Sequence, residues 1–465
     1  MTLPRRWWAE VAALSGGAAL LLWPAFLNGY PLLFSDTGAF LAQTLREWPP
    51  FDKPHVYGPA LHLLHMRVTL WGPALAQGLL LSWLLRLTLR AVRPQAGPGM
   101  HLLLCAGLAA FTAAPWFAAL LMPDILAPAL VLALFLLGWA AEALSRAERI
   151  ALTLVAALAA AAHLAHLPVA AAIAALALLA RRSWRPALRC ALPLGLAAVA
   201  LLTTNLAVHG RFALSPYGAV FPLARLVADG PAARTIAARC PDAGWHLCAW
   251  AGRLPDDSNA FLWDPEGPVW APRRDGAQPG GPISLAPEAR DILLETLRRE
   301  PGAVLAGALA NGAHQLLRAR VGDTLVPDHL AVQVSGHLAR DFPAAERTRF
   351  AASLQARGVL PAAAAPFLAP HGAALLLGVA GTLLALIPAL RARRDPGGRD
   401  GRAEARPGLL LCVLVGLAAN ALTTGALSGP TDRYGARIAW LLPLAAVLAW
   451  MPPAAAGDHL ARRTG

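Results

Sequence analysis

The chain has 465 residues, of which 57% are hydrophobic and only 14% are charged. That composition excludes an ordinary soluble domain, because the apolar residues run in long blocks rather than in short periodic stripes. The formal charge of +13 points to membrane topology rather than to nucleic-acid binding, because the arginines are concentrated in alternate loops.

Ten apolar blocks approach the length of about 20 residues that a helix needs to cross a bilayer. They predict an all-α polytopic membrane protein with about ten transmembrane helices. Blocks 150–163 and 168–180 are short and form either two spans or one re-entrant hairpin. The first block is read as a retained span, because no small-residue cleavage site precedes Asn28. The blocks are 9–27, 67–87, 101–121, 125–141, 150–163, 168–180, 188–207, 370–390, 408–427 and 437–453.

Arginine predicts the orientation of these spans. Arginines precede the first block and follow the second, fourth, sixth, eighth and tenth, so every second loop is basic. Cytoplasmic loops carry the excess of Lys and Arg, which predicts a multi-pass protein of the bacterial cytoplasmic (inner) membrane with both termini in the cytoplasm. The arginines are Arg5, Arg6, Arg86, Arg90, Arg93, Arg146, Arg149, Arg181, Arg182, Arg185, Arg189, Arg391, Arg393, Arg394, Arg399, Arg402, Arg406, Arg462 and Arg463.

The first outer loop, 28–66, is a charged interruption between the first two apolar blocks. It contains Asp36, Asp52 and the chain's only lysine, Lys53. Adjacent opposite charges are usually solvated, so Asp52 and Lys53 are expected to form a surface pair.

A short amphipathic helix is predicted after Ser35, with Phe40, Leu41 and Trp48 among the residues on its apolar face. Such a helix is expected to lie at the membrane surface, with Trp48 at headgroup level.

The long stretch 208–368 contains 16 Arg and 15 Asp plus Glu, so it lacks the cytoplasmic arginine excess. We predict that it is a small extracytoplasmic mixed domain between an N-terminal transmembrane module (1–207) and a C-terminal one (369–465). Cys240 and Cys248 lie together in it, and an oxidising compartment favours a disulfide between them over two reduced thiols. The other three cysteines fall in apolar blocks and are expected to be inert core residues.

Polar side chains gather in the outer loops, whereas the spans contain almost no acids. Ion-coupled transporters usually carry acids near the bilayer midplane. Groups that converge at one membrane surface instead suit chemistry on a lipid-linked substrate whose headgroup lies there. The outer groups are Asp36, Asp52, Lys53, His55, Tyr57, Asp124, His163, His166, Asp432, Arg433 and Arg437.

Several of these groups also have a purely structural interpretation. Asp36 and Asp124 could each cap a helix. His163 and His166 could pack at the membrane interface, and no third ligand is evident, so no metal site is predicted. The sequence also lacks a phosphate-cradling glycine loop, a paired CxxC and an HExxH motif, which leaves nucleotide hydrolysis and a zinc site without support.

The arrangement of the outer loops resembles that of the GT-C glycosyltransferases. The resemblance rests on an aspartate soon after the first span, an interfacial helix, a second acid at the tip of the next outer loop and a large outer domain after span seven. It implies transfer of a sugar from a polyprenyl-phosphate donor to a glycan, lipid or protein acceptor on the non-cytoplasmic face. It also implies that Asp36 is the general base, that Asp124 is the second acid, and that Arg433 and Arg437 bind the lipid phosphate.

Further substrate-binding candidates are Lys53, Tyr57, His163, His166 and Asp432. The chain has SDTGAF where several branches of that family have a paired-acid motif, so use of a divalent cation and the acceptor class stay open. Membrane lipids are the other expected partners, and no nucleic acid is expected.

The proposed chemistry requires little machinery. A sugar phosphate already has a good leaving group, so a base for the acceptor and cations for the departing phosphate suffice. Two other functions remain open at this point. One is a flippase for lipid-linked glycan, which needs a polar path through the bilayer, and the other is a non-catalytic envelope assembly protein with 208–368 as its partner platform.

Overall fold

The computed structural model describes residues 5–46, 50–181, 183–272, 280–392 and 404–451. Within these ranges the regular elements are helices. The described residues also contain one isolated parallel β-bridge, between Leu32 and Leu120. Trp48, which the sequence placed at headgroup level, lies outside the described residues.

The part before residue 210 forms eleven α-helices in the described residues. They are α1 (Arg5–Leu21), α2 (Trp23–Asn28), α3 (Ser35–Leu45), α4 (Tyr57–His65), α5 (Trp71–Val92), α6 (Pro98–Phe111), α7 (Ala114–Ala119), α8 (Leu126–Trp139), α9 (Arg146–Ala162), α10 (His166–Arg181) and α11 (Trp184–His209). Short 3-10 turns lie at Pro123–Ile125 and Ala141–Ala143.

The remaining described residues form twelve further α-helices. They are α12 (Val220–Ala228), α13 (Pro231–Arg239), α14 (Ser258–Trp263), α15 (Pro282–Arg299), α16 (Pro301–Leu316), α17 (Leu330–Gln333), α18 (Ser335–Asp341), α19 (Ala344–Ala352), α20 (Leu360–Ala392), α21 (Ala405–Leu427), α22 (Asp432–Ala439) and α23 (Leu441–Trp450). A 3-10 turn covers His246–Trp250.

Four described helices are long and apolar enough to cross a membrane. They are α5, α11, α20 (through Pro388) and α21, and three shorter apolar helices accompany them at Pro98–Phe111, Pro123–Trp139 and His166–Arg181. The chain is therefore an all-helical membrane protein in its described part, which agrees with the predicted class at that level.

Helix α8 lies at the centre of the membrane part. Each of its 14 residues is buried, and it packs against α5, α9, α10, α11 and α21. A helix that is apolar on every side is stable only where other helices surround it. Asp124 stands directly before this helix, so that carboxylate is fixed at the end of the most enclosed element of the fold.

The stretch 208–368 differs from the mixed domain that the sequence predicted, because its described residues form helices and no strand. Its buried apolar side chains contribute to three clusters, one of which is the main core of the apolar helices, joined by Leu325 and Leu360. The other two lie outside that core. One, around Phe261 and Ile292, belongs to this stretch alone. The other joins Leu338 to Tyr30 and Leu41 of the first outer loop. Cys240 and Cys248 are disulfide-bonded in the region around Phe261.

Helix α3 is enclosed by protein, which corrects the prediction that it lies on the membrane surface. Phe40 and Leu41 are buried, and α3 packs against α4, α17 and α18. At Gly38 the backbone comes so close to Gln333 that an added Cβ would lie 1.9 Å from its carbonyl oxygen. The amphipathic pattern was correct, but its apolar face packs against the stretch 208–368 rather than against lipid.

Helix α16 packs along α21 through glycines at the closest approach. A Cβ at Gly425 would lie 2.5 Å from the carbonyl oxygen of Asn311, and a Cβ at Gly312 would lie 3.2 Å from Cα of Leu422. Backbone atoms cannot move aside as flexible side chains can, so position 425 requires glycine, whereas at position 312 the contact is tight but less restrictive.

We therefore expect Gly425→Ala to destabilise the protein by about 1–3 kcal/mol, the usual cost of overpacking a close contact. Gly195→Ala in α11 is the matched control, since a Cβ there meets nothing within 4 Å and alanine is the better helix former. Thermal unfolding in detergent checks both. An unchanged melting temperature for Gly425→Ala would contradict the close α16–α21 contact.

Candidate active site

Asp36 lies in the first turn of α3, and a neighbour satisfies the backbone at the start of this helix. The N–H of Phe34 donates to Thr37 Oγ1 at 2.9 Å, and the Thr37 hydroxyl donates to the carbonyl of Leu121 at 3.1 Å. Asp36 is therefore not the helix cap that the structural interpretation made it. Its carboxylate is directed towards cations from other parts of the chain.

The loops that carry Asp36 and Asp124 are joined by backbone pairing. Leu32 donates its N–H to the carbonyl of Ala119 at 2.9 Å, and its carbonyl accepts from the N–H of Leu121, also at 2.9 Å. Each acid follows this bridge by three or four residues. The pairing thus brings together the two acids that the sequence placed in separate loops.

Five charged side chains then form one continuous network. Lys53 Nζ lies 3.2 Å from Asp36 Oδ1, and Arg433 Nη1 lies 3.8 Å from Asp36 Oδ2. Arg433 Nε and Arg437 Nη1 each lie 3.4 Å from Asp124 Oδ1. The network joins the first outer loop, the start of α8 and the helix after α21, so residues far apart in sequence meet at one place.

Lys53 also contacts Asp52, but this is not the solvated surface pair that the sequence predicted. The Asp52 and Lys53 side chains are only 11% and 13% exposed. Lys53 bridges Asp52 to Asp36, so it is an internal member of the network. Lys53 is therefore a third cation of the network, beside Arg433 and Arg437.

The surroundings of Asp36 keep its carboxylate ionised. Burial alone would raise its pKa, but Lys53 and Arg433 outweigh burial and lower the pKa below its usual value. A carboxylate held this way is a weak proton acceptor until its cations are drawn to another anion. Its side chain is 34% exposed, the most open of the network.

Arg433 and Arg437 lie four residues apart on α22 and so share one face of that helix. Arg433 packs over the rings of Phe34 and Tyr434, with its guanidinium carbon 4.6 Å and 5.0 Å from their centroids. Arg437 packs over Tyr434 at 4.9 Å, and its Nη2 donates to Asn420 Oδ1 at 2.8 Å. Ring stacking and ion pairs hold the Arg433 guanidinium, and stacking together with a hydrogen bond holds that of Arg437.

Burial increases along the network, from Asp36 at the open end to Arg437, which is fully buried. Asp124 is 1% exposed, and its Oδ2 has no hydrogen-bond partner, like Nε of Arg437. Buried polar atoms are usually hydrogen-bonded. These two atoms mark the inner end of the network as a place with unused hydrogen-bonding capacity.

Other predicted site residues lie behind this network. Tyr57 is 4% exposed and donates its hydroxyl to Gln77 at 2.6 Å, so it braces α4 against α5. The rings of His163 and His166 stack with centroids 5.1 Å apart, and His163 lies 6.5 Å from the ring of Tyr434. His166 Nδ1 pairs with the carbonyl of Ala159 at 2.7 Å.

Asp432 faces away from the network. Its Oδ1 accepts the N–H of Arg320 at 3.1 Å, which ties it to the segment after α16. Three residues outside the predicted site contact or support the arginines: Asp323, Asn420 and Tyr434. Nothing in the sequence spacing marks Asp323, and Asn420 lies inside the apolar block 408–427, where the spacing does not mark it either.

The described residues contain no group of three His, Cys, Asp or Glu side chains placed to hold a metal ion. The acids of the network are paired with Lys53 and the arginines instead. The arrangement therefore offers cations for an anionic ligand beside one partly exposed carboxylate, that of Asp36.

Comparison with known protein families, with curated proteins and with solved structures finds no match to this chain. The assignment of a function consequently depends on the site itself.

We expect Asp124→Asn to lower stability strongly, because it leaves the buried Arg437 without its carboxylate. Breaking a buried ion pair costs about 3–5 kcal/mol. In the double variant Asp124→Asn/Arg437→Met the loss should be smaller than the sum of the two single losses. The apparent melting temperature in detergent measures this, with the exposed Asp256→Asn as the matched control. Additive losses would show that the pair does not interact.

Proposed function

We propose that the chain is a GT-C-like membrane glycosyltransferase, which transfers a sugar from a polyprenyl-phosphate donor to an acceptor on the outer face of the cytoplasmic membrane. The observation that carries this proposal is the single network formed by Asp36, Lys53, Asp124, Arg433 and Arg437. A half-open carboxylate beside preorganised cations is what such a reaction needs.

The roles follow from position. Asp36, the most exposed acid of the network, takes the proton of the acceptor hydroxyl. The acceptor oxygen then bonds to the anomeric carbon, and the bond from that carbon to the phosphate oxygen breaks, leaving polyprenyl phosphate. Lys53 and Arg433 stabilise the phosphate, because both already lie against Asp36. Asp124 holds the two arginines in place.

The charges around Asp36 also suggest how it becomes a better base. Burial raises its pKa, but Lys53 and Arg433 together lower it below its usual value. A bound phosphate shares these cations, so their hold on Asp36 weakens and its proton affinity rises. Binding of the donor thus prepares the carboxylate for its role.

The helix ends support placing this site on the outer face. Arg90 near the end of α5 pairs with Glu148 near the start of α9, and Arg181 at the end of α10 pairs with Glu404 before α21. These arginines lie at the ends of their helices opposite the site. Under the positive-inside rule they mark the cytoplasmic side, in a ten-span topology with both termini in the cytoplasm.

The contacts within the apolar helices argue against the flippase alternative. Thr203 and Thr204 donate to carbonyls of their own helix. Gln77 and Asn420 are engaged by Tyr57 and Arg437. Polar side chains that a translocation path would need are thus used locally or in support of the site.

The decisive variant is Asp36→Asn, which keeps the shape of the side chain and removes its basicity. In a deletion strain, we expect polyprenyl-phosphate sugar to accumulate and the corresponding envelope glycan to disappear. Wild-type protein and the exposed control Asp256→Asn should restore both, whereas Asp36→Asn should restore neither while reaching the membrane in normal amounts. Mass spectrometry of envelope glycans and polyprenyl lipids is the measurement, and restoration by Asp36→Asn would remove this residue from the mechanism.

A further inference from the structure

The last residues of α16 and the segment that follows it contact the start of α22, the helix that carries Arg433 and Arg437. We call residues 315–323 the outer clasp. The side-chain amide of Gln315 makes two hydrogen bonds to the backbone of Thr431: Nε2 donates to its carbonyl at 2.8 Å, and Oε1 accepts its N–H at 2.9 Å. Gln315 is 1% exposed, so this double contact is shielded from water.

Two aspartates, one in the outer clasp and one in α22, each accept a backbone N–H from the other segment. Asp323 Oδ2 accepts the N–H of Arg433 at 2.9 Å, while Asp432 Oδ1 accepts the N–H of Arg320 at 3.1 Å. The N–H groups in the first turn of a helix have no partner within the helix, and Thr431 makes no side-chain cap there. Asp323 supplies the missing acceptor, and its negative charge also suits a helix N-terminus.

The backbones are equally close at this place. A Cβ on Gly435 would lie 1.8 Å from the carbonyl oxygen of Arg318, and Arg318 Nη1 donates to the carbonyl of Pro430 at 3.1 Å. The outer clasp therefore contacts α22 before, at and after Arg433.

The chain that continues from the outer clasp is anchored beside Asp36. The Gln355 side chain accepts the N–H of Leu33 at 3.0 Å and donates to the carbonyls of Leu33 and Thr324 at 2.7 and 3.0 Å. Glu346, 1% exposed, accepts the Tyr30 hydroxyl at 2.7 Å. One segment, 315–356, thus holds the helix of Arg433 at one end and the backbone preceding Asp36 at the other.

We infer that Asp323 is a positioning residue, which through the outer clasp sets where Arg433 stands relative to Asp36 and Asp124. Its importance for donor binding rests on the proposed function, whereas the placement of Arg433 does not. Asp323 makes no contact with Asp36 and takes no part in the chemistry. It acts through the backbone of Arg433, and the sequence between α16 and α17 thereby becomes part of the site.

Two variants of Asp323 and one control variant test this role, and the exposed position of the Asp323 side chain allows them. Asp323→Ala removes the acceptor, Asp323→Asn keeps an oxygen at the same distance, and Asp328→Ala is a matched control on an exposed acid of the same segment. Should Asp323→Ala not fold, Asp323→Glu, which keeps the charge but displaces the oxygen, replaces it.

The first readout is amide hydrogen exchange of residues 431–437 in the purified full-length protein. We expect faster exchange in Asp323→Ala, near wild-type exchange in Asp323→Asn, and no change in Asp328→Ala. The second readout is the affinity for undecaprenyl phosphate relative to undecaprenol. Loss of one hydrogen bond should weaken phosphate binding about fivefold in Asp323→Ala, with rescue by Asp323→Asn and no effect on the uncharged alcohol.

The two readouts separate the two claims. If wild-type protein prefers the phosphate but Asp323→Ala changes neither exchange nor affinity, the positioning role is overturned and the proposed donor site stands. If exchange rises in Asp323→Ala but wild-type protein does not distinguish phosphate from alcohol, the positioning of Arg433 is supported and the proposed donor class is overturned.

Discussion

The contact between the Asp124 carboxylate and the guanidinium groups of Arg433 and Arg437 is the interaction on which the site depends. Asp124 and Arg437 are almost entirely buried, and a charge in such a place is tolerated only when it is paired. Because Asp124 precedes the fully enclosed α8, it cannot move far, and it fixes both arginines. Asp36 and Lys53 then join from the first outer loop through Arg433.

This arrangement divides the site into a rigid inner part and an adaptable outer part. The inner pair is locked by Asn420 and by the ring of Tyr434. The outer members, Asp36 and Lys53, are held by ion pairs at 3.2–3.8 Å, and the Asp36 end is accessible to solvent. Under the proposed function, an incoming phosphate would compete with Asp36 for the cations, which would couple ligand binding to the base strength of Asp36 through the same charges.

The sequence predicted a useful share of this site. Asp36, Asp124, Arg433 and Arg437 could be selected because each stands near the edge of an apolar block, whereas the interiors of the blocks contain almost no acids. The expectation that Lys53 forms a solvated surface pair with Asp52 was wrong, because the sequence shows that these two residues are neighbours but not that Asp36 lies beside them. Asp323 was missed for the same reason: its partner is a backbone N–H more than a hundred residues away.

The fold likewise has features that the sequence predicts directly and features that depend on contacts between distant segments. Apolar block length predicted the helical membrane class, since the bilayer imposes it on the sequence directly. The apolar face of α3 was also recognised, but periodicity does not reveal whether lipid or protein covers such a face. In the structure, α17 and α18 pack against the apolar face of α3. The first outer loop and residues 330–350 share a core, and that joining depends on contacts between distant segments.

The most direct test of the central claim is to locate a bound polyprenyl phosphate. We expect an electron cryomicroscopy reconstruction of the full chain in lipid nanodiscs with undecaprenyl phosphate to place the phosphate within hydrogen-bonding distance of Lys53 and Arg433, with Asp36 beside it. The same experiment with Arg433→Met should leave that position empty. A phosphate bound elsewhere in the wild-type protein, with the network of Asp36, Asp124 and the arginines unoccupied, would contradict the account.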